Sequence, residues 1–152
     1  METMPMVETQ MMIRKPVSIV FQAFIDPAIT TNFWFTKSSG QLDVGKSIRW
    51  DWEMYNVSTN VFVKEIILNQ KISTDWGEPA TTVDYEFTAL TSDTTYVVIK
   101  NYGFSETGNE LLQTIKDSTG GFTTVLDGLK AWLEYNIRLN LIADKFPQTG
   151  QK

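Results

Sequence analysis

The chemistry open to this chain is limited first by the residue types that it lacks. Its 152 residues include no histidine and no cysteine. Without them the chain has no Ser–His or Cys–His nucleophile pair, no zinc site of the usual kind, no thiol redox centre and no disulfide. General acid–base chemistry would then need an inward-facing carboxylate, lysine or tyrosine whose pKa is shifted by its surroundings.

The charged side chains of the predicted strands mostly point away from such a site. Six of them lie out of phase with apolar neighbours and are expected to face solvent: Arg49, Asp51, Glu53, Asp84, Glu86 and Lys100. Glu65 is the exception, because it shares the parity of Val61 and Val63 and is predicted to face inward. A β-bulge near residues 66–67 would turn it outward again. We therefore expect no catalytic residue, with Glu65 as the one remaining candidate.

Aromatic side chains are the other feature with a possible function, because they could bind a ligand. Three of the five tryptophans lie between residues 34 and 52. Trp50 and Trp52 share one face of an alternating strand, where they either line a ligand cavity or fill the space beneath a helix. A few uncharged polar side chains are also predicted to face inward, where they would orient a ligand by hydrogen bonds: Thr74, Tyr85, Thr95 and Asn101.

The elements that position these residues begin with an extended segment at residues 6–13. Pro16 then suits the first turn of a helix, and apolar residues follow at helical spacing on one face. Asp26-Pro27 ends that helix, because the residue before proline is pushed out of the helical region. Pro27 begins a second short helix through Thr31.

Alternating and apolar runs next predict a series of short strands. They cover residues 48–54 (Ile48, Trp50, Trp52 and Met54 on one face), 57–68, 71–76, 83–87 and 95–101. The turns between them are short, with Val44-Gly45 preceding the first. Short connections favour an antiparallel meander over parallel units with crossover helices. With the first strand, the sheet is predicted to have six or seven strands.

A long helix is predicted near the end of the chain. Its apolar stripe is formed by Phe122, Val125, Leu126, Leu129, Trp132, Leu133 and Ile137. The sequence leaves two alternatives for the start of this helix. Either Asn109 caps a segment that continues through Gly120-Gly121, or a new helix begins at Ser118. A helix with such a stripe buries it against another element, and the concave face of a curved sheet is the natural partner.

Composition excludes several classes of partner. The chain has 18 acidic and 13 basic residues and a net charge of −5, which argues against nucleic-acid binding. We see no signal peptide and no apolar run long enough to span a bilayer, so we expect a cytoplasmic protein.

With no repeat or linker, residues 1–152 are predicted to form a single domain, with residues 147–152 as a frayed tail.

Five motifs in order resemble a known family. KPVSIVFQAFIDP at residues 15–27 is similar to the "A-P-x-x-x-V-F-x-A-F-x-D-P" opening of the START-like, polyketide-cyclase-like superfamily. The other matches are Phe33-Trp34, VGKSI at residues 44–48 (family "V-G-G-x-F"), GF at residues 103–104 ("H-x-G-F") and GFTTVLDGLKAWL at residues 121–133 ("G-W-x-x-x-L-x-x-L-K-x-x-L"). The chain most resembles the branch named for the activator of heat-shock protein 90 ATPase.

The resemblance implies a helix-grip α+β fold, in which a curved antiparallel sheet wraps round the long helix and leaves a pocket between them. Four positions depart from the family pattern: Lys15, Lys46, Asn101 and Phe122. Asn101 stands where the family has histidine, so this chain lacks the imidazole that would otherwise be a polar pocket group.

Three functions follow as hypotheses. The first is a non-catalytic domain that holds a hydrophobic small molecule of lipid, polyketide or aromatic type. The second is a co-chaperone acting on heat-shock protein 90 ATPase, and the third is a cyclase- or hydrolase-type enzyme. We favour the first, with no cofactor and no metal, and leave a homodimer open. The predicted ligand contacts are Trp50, Trp52, Tyr85, Phe87, Val97, Ile99, Asn101, Phe122, Leu126 and Leu129.

Overall fold

A seven-stranded antiparallel sheet and a long helix dominate the computed structural model, which describes residues 4–147. The strands are β1 (Met6–Ile13), β2 (Lys37–Ser38), β3 (Ser47–Trp52), β4 (Val57–Ile67), β5 (Lys71–Trp76), β6 (Thr81–Thr91) and β7 (Thr94–Tyr102). The helices are α1 (Val17–Ile25), α2 (Pro27–Thr30), α3 (Gly108–Tyr135) and α4 (Leu141–Lys145), with a 3-10 turn at Glu53–Tyr55. The strand order is β1-β7-β6-β5-β4-β3-β2. The helix-grip fold is thereby confirmed.

The two short helices meet where the sequence predicts. Asp26 ends α1 in an extended conformation, and its carboxylate accepts a 2.9 Å hydrogen bond from the backbone N–H of Ala28 at the start of α2. Pro27 occupies the first helical position, where its missing N–H costs nothing. The Thr30 hydroxyl donates to the carbonyl of Ala23 at 2.5 Å, which fixes α2 against α1. The chain leaves α2 into the buried segment Phe33, Trp34 and Phe35.

The long helix is continuous from Gly108 through Gly120-Gly121, which confirms the first alternative over a new helix at Ser118, but its N-cap is Thr107 and not Asn109. Gly128 lets this helix approach the segment after α2, because a Cβ there would lie 3.2 Å from Cβ of Phe33. The extension of the stripe to Ile137 is wrong. Asn136 adopts a left-handed conformation with φ +57°, which ends the helix at Tyr135.

Two further differences concern the β3 side of the sheet. The two-residue β2 is not predicted, because such a short edge strand has no period to detect. Met54 is predicted on a strand, but it lies in the 3-10 turn, and Asn56 with φ +53° redirects the chain into β4.

Of the predicted tail, residues 148–152 lie outside the described part of the chain, and Pro147 is exposed.

The core lies between the concave face of the sheet and the apolar faces of α1 and α3. Its sheet side includes Val61, Val83 and Val97, each fully buried, and its α3 side includes Leu126 and Leu129. No helix within residues 4–147 has the length and apolar character needed to cross a membrane.

Candidate functional site

Six aromatic side chains meet beneath α3 and form what we term the aromatic cluster. They are Trp34, Phe35, Trp50, Trp52, Trp76 and Phe122. The rings of Phe35 and Trp50 stack at 4.4 Å with an angle of 16°. Trp34 lies centrally, 4.9 Å from Trp50 and 6.0 Å from Phe122. Such pairs are each worth about 0.5–1.5 kcal/mol beyond the area that they bury.

The structure brings the ten predicted ligand contacts to the inner side of the molecule. Nine are buried in the core: Trp50, Tyr85, Phe87, Val97, Ile99, Asn101, Phe122, Leu126 and Leu129. Trp52 is partly buried at the rim of the aromatic cluster. Phe87 lies toward α1, where its ring packs at 5.2 Å against Phe21. The predicted inward face of the sheet is therefore correct, and its side chains pack against one another.

A cleft of about 80 Å³ leads from the surface to the aromatic cluster. Phe33 and Trp34 form part of its wall, together with Met54, Gly128 and Ile142. Several of the remaining lining residues belong to residues 136–145, which we term the strap. The cleft thus reaches the central tryptophan of the cluster beneath a segment that runs back over the fold.

Hydrogen bonds fasten the strap to the body of the protein. The Tyr55 hydroxyl donates to the carbonyl of Ile142 at 2.5 Å and approaches that of Ala143 at 3.3 Å. The guanidinium of Arg138 donates to the side-chain oxygen of Asn32. Ile142 also packs against the core. The strap is therefore held by a few polar contacts and one apolar anchor.

The hydroxyl of Tyr85 is the most unusual polar atom of this region. The side chain is 1% exposed, and its ring lies 5.3 Å from Phe24 and 6.2 Å from Trp34. Its Oη has no hydrogen-bond partner among the described residues. An unsatisfied buried group of this kind costs about 1–3 kcal/mol.

Burial keeps this phenol neutral, because it raises the pKa of Tyr85 well above its ordinary value. The neighbouring Thr74 hydroxyl lowers that pKa by a smaller amount. It lacks the geometry of a hydrogen bond to Oη and donates instead to the carbonyl of Val83 at 3.2 Å. A neutral phenol can both donate and accept, so Tyr85 could meet either kind of polar group.

Asn101 is buried, but its hydrogen-bonding capacity is used by the protein. Its amide nitrogen donates to the Thr81 hydroxyl at 3.0 Å and to the Thr82 carbonyl at 2.9 Å. Its oxygen accepts a 2.8 Å bond from the Ser118 hydroxyl. Asn101 therefore ties β6 and β7 to α3, a contact that sequence reasoning did not foresee.

Of the two orientations considered for Glu65, the structure shows the outward one. The pairing of β4 with β5 shifts between Val63 and Glu65, so a bulge turns the carboxylate to the outer face. The side chain is 49% exposed and lies 3.4 Å from the ammonium of Lys71. The bulge considered for residues 66–67 exists, but it lies slightly earlier in the strand.

The outer face of the sheet carries a polar network. Asp84 points to this face as predicted, but it is buried and not exposed to solvent as expected, and it accepts hydrogen bonds from Ser73 at 2.6 Å and from Tyr102 at 2.7 Å. The bond to Asp84 is the main reason that the pKa of Tyr102 rises to about 12. Lys100 pairs with Glu86 at 3.1 Å nearby. The carboxylates of Asp84 and Glu86 are thus both bonded to neighbouring side chains, and this network offers no unpaired carboxylate for acid–base catalysis.

A second cleft, of about 240 Å³, lies beside β3 and the 3-10 turn. Lys37, Arg49, Asp51 and Trp52 contribute to its wall. Its charged groups are partly paired, since Nε of Arg49 lies 3.0 Å from the Asp51 carboxylate. This cleft is shallow and polar, and it suits an apolar ligand less well than the cleft beneath the strap.

Sequence reasoning missed Thr9, Tyr55 and the strap. The alternation of Val7, Thr9 and Ile13 on one strand was the available signal for Thr9. For the strap, the signal was an asparagine that follows the helical stripe, a residue type that often ends helices. No local pattern marks Tyr55, whose partner is 87 positions away.

Known proteins share this architecture. A family model described as "Activator of Hsp90 ATPase homolog 1-like protein" matches residues 14–134. The solved structure of protein SSP2350 from Staphylococcus saprophyticus is 27% identical with a TM-score of 0.79, and the alignment covers 89% of this chain and 96% of that one. The Aha1 dimer from Colwellia psychrerythraea is 17% identical with a TM-score of 0.73, covering 87% of this chain and 98% of that one.

A third similar structure is protein MLL2253 from Mesorhizobium loti, at 16% identity and a TM-score of 0.75. It is matched over 88% of this chain and 99% of that one. No curated protein matches the chain by sequence. At these identities the two more distant structures support the fold alone.

Proposed function

Because the chain belongs to the family of activator of Hsp90 ATPase homolog 1-like proteins, with the START-like helix-grip fold, we propose that it binds an apolar small molecule between its sheet and α3. The observation that carries this proposal is the unpartnered hydroxyl of Tyr85 within an apolar interior. A bound molecule with a polar group would remove that penalty. The surrounding rings would supply the apolar contacts that fix an aromatic, polyketide or lipid-type ligand.

The proposed contacts are the aromatic cluster and the inner faces of β6, β7 and α3. Trp50, Trp52 and Phe122 would pack against one side of the ligand, and Tyr85 would bind its polar group. Phe87, Val97, Ile99, Leu126 and Leu129 would complete the apolar wall. Asn101 would act as a positioning residue, because its own hydrogen bonds hold β6, β7 and α3 together. Burial of apolar area stabilises such a complex by roughly 25 cal/mol per Å² before the costs of association.

Binding requires the site to open. Pockets for ligands of drug size are roughly 300–1,000 Å³, whereas the cleft beneath the strap is about 80 Å³. The strap covers the approach to Trp34 and is attached mainly through Tyr55, Arg138 and Ile142. We therefore place the entrance there, with the strap moving outward as the ligand enters.

Native mass spectrometry of the purified protein tests the proposal. We expect a species heavier than the 17.3 kDa chain that loses its extra mass on denaturation. Extraction under denaturing conditions would identify the chemical class of the ligand. A bare mass, together with no saturable binding of an apolar probe such as biphenyl, would overturn the proposal.

A second candidate is a co-chaperone-like action on heat-shock protein 90, which the description of the family supports. The tight packing of the aromatic cluster favours it, because a filled interior suits a protein-binding role. The similar Aha1 structure is a dimer, so self-association belongs to the same hypothesis. Stimulation of a purified heat-shock protein 90 ATPase by micromolar amounts of this protein would favour this function, and an unchanged rate would reject it.

A further inference from the structure

A second unpartnered hydroxyl lies in the same transverse row of the sheet as Tyr85. Thr9 of β1 is directly opposite Ile99 of β7, and Ile99 is directly opposite Tyr85 of β6. Thr9 is 5% exposed, and its Oγ1 has no hydrogen-bond partner among the described residues. These are the two buried side-chain atoms of residues 4–147 that lack a partner, and one apolar residue separates them.

Both side chains point toward the concave face. Thr9 has the parity of Val7 and Ile13, and Tyr85 has that of Val83 and Phe87, all of which are buried in the core. The backbones of Thr9 and Tyr85 are two strand spacings apart, roughly 10 Å. The row therefore offers two hydroxyls without partners among the described residues, whereas the other inward polar side chains, Thr74, Thr95 and Asn101, are hydrogen-bonded.

The helix above this row supplies no partner for either hydroxyl. One anchor of α3 is Ser118, bonded to Asn101, which is paired with Val7 of β1. The other is Lys130, whose ammonium donates to the carbonyl of Met12 at 2.9 Å and to Glu134. Between these anchors α3 buries Phe122, Val125, Leu126 and Leu129. Tyr85 itself lies against Phe24 of α1 and against Trp34, so the cover over the two hydroxyls is apolar, and the one charged group of α3 nearby is already bonded.

We infer that Thr9 and Tyr85 form a two-point recognition pair for the ligand, an inference that rests on the proposed function. The ligand is then an apolar molecule with two hydroxyl or carbonyl groups far enough apart to reach side chains of two strands whose backbones are roughly 10 Å apart. Each group would satisfy one hydroxyl, while the scaffold between them would lie on Ile99 beneath α3. A purely hydrocarbon ligand would leave both hydroxyls unsatisfied and would bind less tightly.

Three biphenyls test this pair, since 4,4′-dihydroxybiphenyl is a rigid apolar molecule with a hydroxyl at each end and is long enough to span two strand spacings of roughly 10 Å. The comparison compounds are 4-hydroxybiphenyl and biphenyl, which carry one hydroxyl and none. Calorimetric titration of the full chain should show affinity rising by roughly tenfold with each hydroxyl, the change expected for one buried hydrogen bond. Thr9→Val and Tyr85→Phe should each lower the preference for the diol over biphenyl by about tenfold.

The apo protein gives a readout that does not depend on ligand. Thr9→Val replaces the unsatisfied hydroxyl by a methyl group of similar size, and Tyr85→Phe removes the unsatisfied oxygen, so both should raise the Tm. Tyr102→Phe is the matched control, because it loses a hydroxyl that is bonded to Asp84 on the outer face. It should lower the Tm and leave the preference for the diol intact.

The possible outcomes distinguish failure of the recognition pair from failure of the proposed function. If wild-type protein binds the three biphenyls equally well, the site exists and the recognition pair is refuted. The pair is also refuted if both variants keep the full preference for the diol, as would happen if buried water satisfied the hydroxyls. If none of the three compounds binds, the proposed function fails as well.

Discussion

The hydroxyl of Tyr55 donates a 2.5 Å hydrogen bond to the carbonyl of Ile142, joining the turn after β3 to α4. This contact holds the strap across the cleft whose inner wall includes Trp34. Trp34 in turn contacts Trp50 and Phe122 of the aromatic cluster. The strap therefore lies across the cleft that reaches the interior that we propose as the ligand site.

Tyr55→Phe should release the strap without unfolding the protein. Loss of one hydrogen bond removes about 1 kcal/mol, which corresponds to roughly a fivefold change in a local opening equilibrium. We expect amide hydrogens of α4 to exchange about fivefold faster, with little change in β6 and β7. Hydrogen–deuterium exchange followed by mass spectrometry measures this directly.

Tyr102→Phe is the control for that experiment. It loses a 2.7 Å hydrogen bond on the opposite face of the sheet, far from the strap. Exchange in α4 should stay at the wild-type rate. Equal acceleration of α4 in both variants would mean that general destabilisation, rather than release of the strap, is responsible.

Gly128→Ala should destabilise the protein although alanine favours helices. The new Cβ would lie 3.2 Å from Cβ of Phe33 and 3.3 Å from its carbonyl oxygen, so α3 must shift away from the segment after α2. Overpacking of this kind costs about 1–3 kcal/mol, more than the gain in helix propensity of about 1 kcal/mol. Urea denaturation gives the change in the free energy of unfolding.

The matched substitution is Gly121→Ala in the same helix. No neighbouring atom lies within 4 Å of a Cβ there, so alanine should increase the free energy of unfolding by up to about 1 kcal/mol. If both variants were stabilised, the close approach of α3 to Phe33 would not be a constraint on the fold.

Glu134 gives a pH-dependent contribution to stability. Its side chain is 5% exposed, and burial alone would raise its pKa. The hydrogen bonds from Lys130 at 2.6 Å and from the backbone N–H of Arg14 at 2.7 Å outweigh that effect and lower the pKa below its ordinary value of 4.5. Because the folded state favours the carboxylate, the contribution is present above pH 4.5 and is lost as pH falls through the lowered pKa.

Glu134→Gln should therefore lower the free energy of unfolding by about 2 kcal/mol near pH 7, the value of hydrogen bonds to a charged group. The difference from wild type should shrink steadily below pH 4.5. Asp127→Asn, an exposed change of the same charge on the same helix, controls for net charge. A difference that stayed constant between pH 7 and pH 3 would contradict this account of Glu134.

Asn101→Ala should cost about 2–3 kcal/mol, because it removes three hydrogen bonds and leaves the Ser118 hydroxyl without its acceptor. The loss should be seen in thermal and urea unfolding with or without ligand. Asn60→Ala at an exposed position of β4 should change stability by less than about 0.5 kcal/mol. Equal effects of the two substitutions would show that Asn101 does not tie the sheet to α3.

The sequence supports prediction of the fold wherever a periodic pattern is long enough to read. β5 was predicted at its exact bounds, β4 to within one residue, and α3 was recognised from its stripe. The bulge that turns Glu65 outward could be suspected but not located, since a one-residue shift depends on pairing with β5. An asparagine could indicate where α3 ends, but the path of the strap could not be predicted, because it is held by Tyr55 and Asn32, which are remote in sequence.

For the candidate site too, the direction of a side chain on one strand could be predicted, whereas its contacts with other elements could not. Alternation placed Trp50, Tyr85 and Ile99 correctly on the inner face of the sheet. It could not reveal that Asn101 is fully bonded while Tyr85 is not, because that difference depends on Thr81 and Ser118 from other elements. Hydrogen-bond satisfaction is a property of the folded arrangement rather than of any local pattern.

The most direct test of the proposed binding site is an NMR titration with 4-hydroxybiphenyl that follows the indole N–H signals of the five tryptophans. We predict saturable shifts that fit one site and are largest at Trp34, Trp50 and Trp76, with the smallest change at Trp132, which lies outside the aromatic cluster. Absence of saturation, or shifts that are largest at Trp132, would contradict a ligand site between the sheet and α3.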